Sequence, residues 1–142
     1  EILKRSRRGR TADSVEKGET VQWLKEAQEK VREVYVHDVV YTYIAQLAKA
    51  TRERDDIVVG LSPRGAVALT AMAKAGAYLK GRNYVIPDDV TDVFSCVAIH
   101  RIQLSARAKV GHIRIGDILE QILAEVNPPS IKRGKADKWG RG

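Results

Sequence analysis

From Gly60 to Gly81 the chain reads Gly-Leu-Ser-Pro-Arg-Gly-Ala-Val-Ala-Leu-Thr-Ala-Met-Ala-Lys-Ala-Gly-Ala-Tyr-Leu-Lys-Gly, which dictates a strand end, a hard helix start and one long helix. Ser62 is placed to cap the free amides of a first turn. Pro63 suits the first helical position because its missing N–H would have no intrahelical partner there. Between Ala66 and Leu79 only Thr70 and Lys74 are conventionally polar, so the helix is apolar nearly all round and is expected in the middle of a bundle. Its alanines and Gly76 are expected to admit neighbouring helices closely. Arg64 breaks the pattern, because a cation in the first turn opposes the helix dipole by about 0.3–1 kcal/mol. Two readings of Arg64 stay open. It either points outward and pairs with a carboxylate, or joins the helix start in binding a phosphate.

The rest of the chain reads as helices around this one. Val21, Leu24, Ala27, Val31 and Val34 recur at helical spacing and predict a first helix over about 20–34, with Trp23 expected in the core. Val40, Ile44, Leu47, Ala48 and Thr51 predict a second over about 38–52, closed by the charged run Arg52-Glu-Arg-Asp-Asp. Ile57-Val-Val is a short β-prone run leading to Gly60. The central helix spans about 62–80, and Gly81 supplies a left-handed stop. Pro87 opens a fourth helix over about 87–99 whose apolar face is Val90, Val93, Phe94 and Val97; Asp88 and Asp89 suit its dipole. Ile86 lacks a capping side chain, so that start is expected to be loose or held by packing. Short extended pieces are expected at 84–85 and 101–104, a polar connection over 105–111, and a last helix over about 117–126 ended by Asn127-Pro-Pro. The fold class is therefore all-α: a five-helix bundle with short extended connections.

Composition narrows function mainly by charge placement. The net charge is +7, yet residues 1–12 and 130–142 each carry +4, which leaves −1 between them. Nucleic-acid modules concentrate their cations on a structured face, so this distribution argues against nucleic acid as the partner. No apolar run is long enough for a membrane span, and the basic opening, with no apolar segment after it, is not expected to act as a secretory signal. The single Cys96 excludes an internal disulfide and reads as a cytosolic core residue; no metal-ligand spacing occurs, and His37 is no ligand. Residues 1–18 read as the end of a preceding helix and a linker, 19–129 as the helical domain, and 130–142, with Trp139, as a disordered basic tail.

Three motifs at fixed order, Gly60-Leu-Ser-Pro-Arg-Gly, then Lys80-Gly-Arg-Asn-Tyr-Val-Ile-Pro-Asp-Asp-Val, then Ala98-Ile-His-Arg-Ile, resemble the C-terminal lid of the MoxR family of AAA+ ATPases. The resemblance implies a nucleotide-binding helix start at Ser62, Pro63 and Arg64, with Arg64 as the sensor 2 arginine that contacts the γ-phosphate of ATP. It also implies an ATPase core with Mg²⁺ outside this chain, a hexameric ring, chaperone-like work on protein complexes, partners bearing a von Willebrand factor A domain, and a cytoplasmic location. Arg101, in the His-Arg-Ile stretch, is the second arginine of interest; a salt bridge or carbonyl cap is its expected role ahead of a nucleotide contact. Two departures stand out: Ile86 replaces the usual small hydroxyl residue, and Gly65 replaces the common alanine, which is expected to loosen the turn that aims Arg64. No Gly-x-x-x-x-Gly-Lys-[Ser/Thr] loop and no strand ending in paired acids occurs, so this stretch alone is expected not to hydrolyse ATP. A free-standing basic nucleic-acid module and a ligand-free protein-interaction bundle are the rival readings.

Overall fold

The computed structural model describes residues 17–130, and the expectations for the opening residues and the basic tail lie outside them. The element order is α1 (Lys17–Glu33), α2 (Asp38–Arg52), β1 (Ile57–Val59), α3 (Pro63–Leu79), α4 (Pro87–Ala98), β2 (Gln103–Leu104), α5 (Ala106–Val110) and α6 (Ile115–Glu125). The all-α expectation holds, with six helices among the described residues in place of five. The addition is α5, in the stretch expected to be a polar connection. Ser105 caps it by accepting from Ala108 N at 3.2 Å. The start of α1 at Lys17 also takes the last residues of the expected linker into the helix.

One core joins the helices. Val40, Tyr43, Ile44, Leu47 and Ala48 of α2, Leu69, Ala73 and Ala77 of α3, Val90, Phe94 and Val97 of α4, and Ile118, Leu119 and Ile122 of α6 are buried together. The helix α3 packs most extensively on α4 and also meets α1 and α2. β1 and β2 form a two-stranded antiparallel ribbon, Ile57 opposite Leu104 and Val59 opposite Gln103, and an isolated parallel bridge joins Tyr35 to Tyr84.

Three burial expectations are corrected. The helix α3 buries one face only: Val67 is 69% exposed, Leu79 82% and Met72 46%, and a Cβ on Gly76 would meet nothing within 4 Å. Neighbours cover the Gly65–Leu69–Ala73–Ala77 row, where successive spacings of four and an Ala-rich surface bring α4 close. The opening half of α1 stands off the bundle, so Trp23 is 66% exposed and Val21 and Leu24 half-exposed, while Val34 at its far end is buried. Cys96 is exposed on α4, off the Val90–Phe94–Val97 face. No helix among the described residues is long and apolar enough to cross a membrane.

Candidate functional site

The start of α3 is set before the helix begins. At the end of α2 the buried Thr51 hydroxyl donates to Ala48 O at 2.7 Å and accepts from Leu61 N at 2.8 Å. Arg52 Nη1 reaches the carbonyl of the same Leu61 at 3.1 Å. Both backbone groups of Leu61 are thus held by neighbouring residues of α2, and Gly60 lets the chains approach: a Cβ there would stand 2.7 Å from Arg52 Cγ and 2.8 Å from Thr51 O. Ser62 then caps α3 as expected, its Oγ accepting from Gly65 N at 3.1 Å, with Pro63 at the first helical position. Arg64 is exposed and makes no side-chain hydrogen bond or ion pair among the described residues, so the carboxylate-paired reading of this arginine finds no partner there.

Gly65 sits in a close-packed position. It is buried, and a Cβ at this position would lie 2.5 Å from Leu61 Cδ1 and 3.5 Å from Arg101 Cδ. The missing side chain is what lets Leu61 fold back under the first turn, and the Arg101 stem lies across the same spot. Arg101 makes neither the salt bridge nor the carbonyl cap expected of it among the described residues. The Arg101 stem therefore lies against the residue that follows Arg64, although 36 residues separate Gly65 from Arg101.

At its other end α3 stops as the sequence dictates. Gly81 takes φ +75°, Gly81 N donates to Tyr78 O at 2.9 Å and Arg82 N to Ala77 O at 3.0 Å, the paired bonds of a Schellman stop. The turn then feeds a buried carboxylate. Asp89, 1% exposed, accepts from Arg82 Nη1 at 2.7 Å and Nη2 at 2.6 Å, from Lys80 Nζ at 3.0 Å and from Ile86 N at 2.9 Å. That last bond answers the missing cap at Ile86: the acid three residues on reaches back to the amide. Burial pushes the Asp89 carboxyl up, but Arg82, the Ile86 amide and Lys80 outweigh it and hold it below the ordinary carboxylate value. Bonds to Asp92 and Asp89 raise Lys80, and the bond to Asp89 raises Arg82.

A second guanidinium hub lies elsewhere. Arg54 forks onto Asp56 at 3.0 Å and reaches Glu125 at 3.2 Å and Gln121 at 2.8 Å, tying the loop before β1 to α6. The Arg54 bond lowers Asp56 below its ordinary value. Arg54, Asp55, Asp56, Ser105, Arg107, Ala108 and Ile113 line a groove of about 330 Å³, and no residue of the α3 start takes part in it. His37, dismissed as a ligand, caps α2: its Nδ1 accepts from Val39 N at 3.2 Å. Among the described residues no group of three or more His, Cys, Asp and Glu is placed to hold a metal ion. The Thr51–Leu61 clamp escaped the sequence reading, which saw in Thr51 one more member of an apolar face.

The chain as a whole is similar to known proteins. The AAA lid domain family matches residues 49–122, which include the clamp, the helix start, the buried carboxylate and Arg101. The chain is 35% identical over 102 residues to YeaC, an uncharacterised protein of Bacillus subtilis (strain 168), covering 72% of this chain and 32% of that one. It is 29% identical over 117 residues to the chaperone MoxR1 of Mycobacterium tuberculosis, covering 76% and 31%. A crystal structure of a candidate ATPase from Cytophaga hutchinsonii superposes with a TM-score of 0.68 at 32% identity, covering 72% of this chain and 34% of that one. The chain belongs to the AAA lid domain family, in its MoxR branch. It spans about a third of the length of these relatives.

Proposed function

We propose that this lid carries the sensor 2 arginine of a MoxR-like AAA+ ATPase, and that Arg64 donates to the terminal phosphate of ATP bound between the lid and an ATPase core. The observation that carries the reading is Arg64 itself: an exposed guanidinium on the first turn of a helix fixed at its start, with no carboxylate partner among the described residues. The residues present suit the anionic end of a nucleotide. Besides the guanidinium, the Arg64 amide belongs to the first turn, where N–H groups have no intrahelical acceptor, and the positive end of the dipole faces the same way. Ser62 and Pro63 contribute by holding that turn rather than by contact. Bound Mg²⁺ neutralises phosphate charge in such enzymes, and the described residues offer no ligand cluster for it.

In this reading Arg64 stabilises charge developing on the transferred phosphoryl group, and departure of that phosphate removes what ties α3 to the core. The lid then swings, which couples hydrolysis to chaperone-like remodelling by a hexameric ring in the cytoplasm, with a von Willebrand factor A domain protein as a partner. The test is Arg64→Ala in the full-length protein. ATP turnover is expected to fall by about tenfold or more with the lid still folded, because losing one donor to a developing charge typically costs that much. Arg64→Lys is expected to restore part of it, since a point charge cannot reproduce the planar fork. Turnover at the wild-type rate in Arg64→Ala would make Arg64 a surface residue.

A further inference from the structure

The sensor 2 role uses one arginine, but the fold lays the stem of a second against the same turn. We propose that Arg101 is the second cation of the Arg64 site, so that the two guanidiniums bind one polyphosphate anion together; this rests on the phosphate reading of Arg64. Three observations carry it. The Arg101 stem passes over Gly65, its Cδ 3.5 Å from where a Cβ would stand, beside Arg64 in the chain. Its backbone is held on both sides: Arg101 N donates to Ala98 O at 2.9 Å, Ile102 is 6% exposed, and Gln103 pairs with Val59 of β1. Arg101 has no ion-pair partner: neither arginine makes a side-chain bond among the described residues, and no Asp or Glu occurs in the sequence between Asp92 and Asp117.

Elsewhere the chain spends carboxylates on its half-buried guanidiniums, Arg54 on Asp56 and Arg82 on Asp89. Two cations on one helix start repel each other and oppose the dipole, and an anion of more than one negative charge reverses both effects. The terminal phosphates of a nucleoside triphosphate have that charge and offer several oxygens, enough for two planar forks. Gly65 is required by Leu61, 2.5 Å from where a Cβ would stand, and the Arg101 stem rests on the same spot at ordinary contact distance.

The experiment titrates the chain with inorganic tripolyphosphate and follows by NMR the Nε–Hε signals of Arg64 and Arg101 and the Gly65 amide. All three are expected to shift together with a single midpoint. Arg101→Met keeps a stem over Gly65 and removes the charge. Read at Gly65, it is expected to weaken the midpoint about three- to tenfold, as much as Arg101→Ala, with Arg101→Lys between. If Arg101→Met titrates like the unaltered chain, or the Arg101 signal stays still while Arg64 and Gly65 move, Arg101 only packs and the proposal is overturned while the Arg64 reading stands. If none of the three signals moves, the pair is no anion site and the proposal is likewise overturned; turnover of Arg64→Ala in the full-length protein decides the sensor reading on its own.

Discussion

The amide of Leu61 donates to the Thr51 hydroxyl at 2.8 Å, with both residues 0% exposed, so the residue that precedes the cap of α3 hangs from the last turn of α2. Thr51→Val keeps the shape and removes the acceptor, which leaves a buried N–H unsatisfied at a cost of about 1–3 kcal/mol. Urea denaturation is expected to show a lower midpoint with an unchanged slope, and Thr51→Ser to recover most of the loss. Equal midpoints for Thr51→Val and the unaltered chain would mean that the clamp contributes nothing.

The Asp89 carboxylate makes stability depend on acid. Its value in the folded chain lies below the ordinary one, so its contribution is complete above about pH 4 and is lost as pH falls through the folded value. Asp89→Asn leaves Arg82 short of a counter-charge and is expected to cost about 3 kcal/mol at neutral pH. The variant's stability should also vary less than that of the unaltered chain between neutral pH and pH 3. A pH dependence identical in both would place the acid sensitivity elsewhere.

At Gly65 the sign of a substitution separates two accounts. If glycine only loosened the turn, Gly65→Ala would stabilise the helix by about 1 kcal/mol. The 2.5 Å approach to the fully buried Leu61 predicts overpacking instead, with a loss of about 1–3 kcal/mol and a lower Tm in calorimetry.

His112 holds φ +54° at the stop of α5, where His112 N meets Lys109 O at 3.1 Å and Ile113 N meets Ala108 O at 3.0 Å. A side chain in the left-handed region costs about 1 kcal/mol that glycine does not incur. His112→Gly is therefore expected to raise the Tm by a few degrees, and a lower Tm would show that the imidazole makes up for its own strain.

Much of the architecture was legible because it rests on local chemistry. Ser62, Pro63 and Gly81 mark the ends of α3 by capping and by left-handed freedom, and both act within a few residues. The periodic faces of α2 and α4 gave their part of the core for the same reason. What stayed hidden depends on which surfaces meet. The composition of α3 is apolar nearly all round, and no rule of spacing says that only the Leu69 face meets neighbours while Val67 and Leu79 face outward. Trp23 misled by the same route, since an amphipathic pattern shows a face and not what covers it. At the candidate site Arg64 stood out because it broke a dipole rule. The path of Arg101 over Gly65 needed the fold, as it joins elements that no local rule connects. Five cationic residues in the opening stretch and five in the tail lie outside the described residues.

With its first end tied to α2 through Leu61 and its last turn leading into the Asp89 bonds on α4, α3 behaves as a rod clamped at both ends. Seventeen residues make it roughly 25 Å long at 1.5 Å per residue. A tilt of about 5° imposed at Arg64 then carries Leu79 by roughly 2 Å, and α2 and α4 must travel with it. A force applied to one guanidinium becomes a displacement on the opposite side of the domain, without any bend inside the lever.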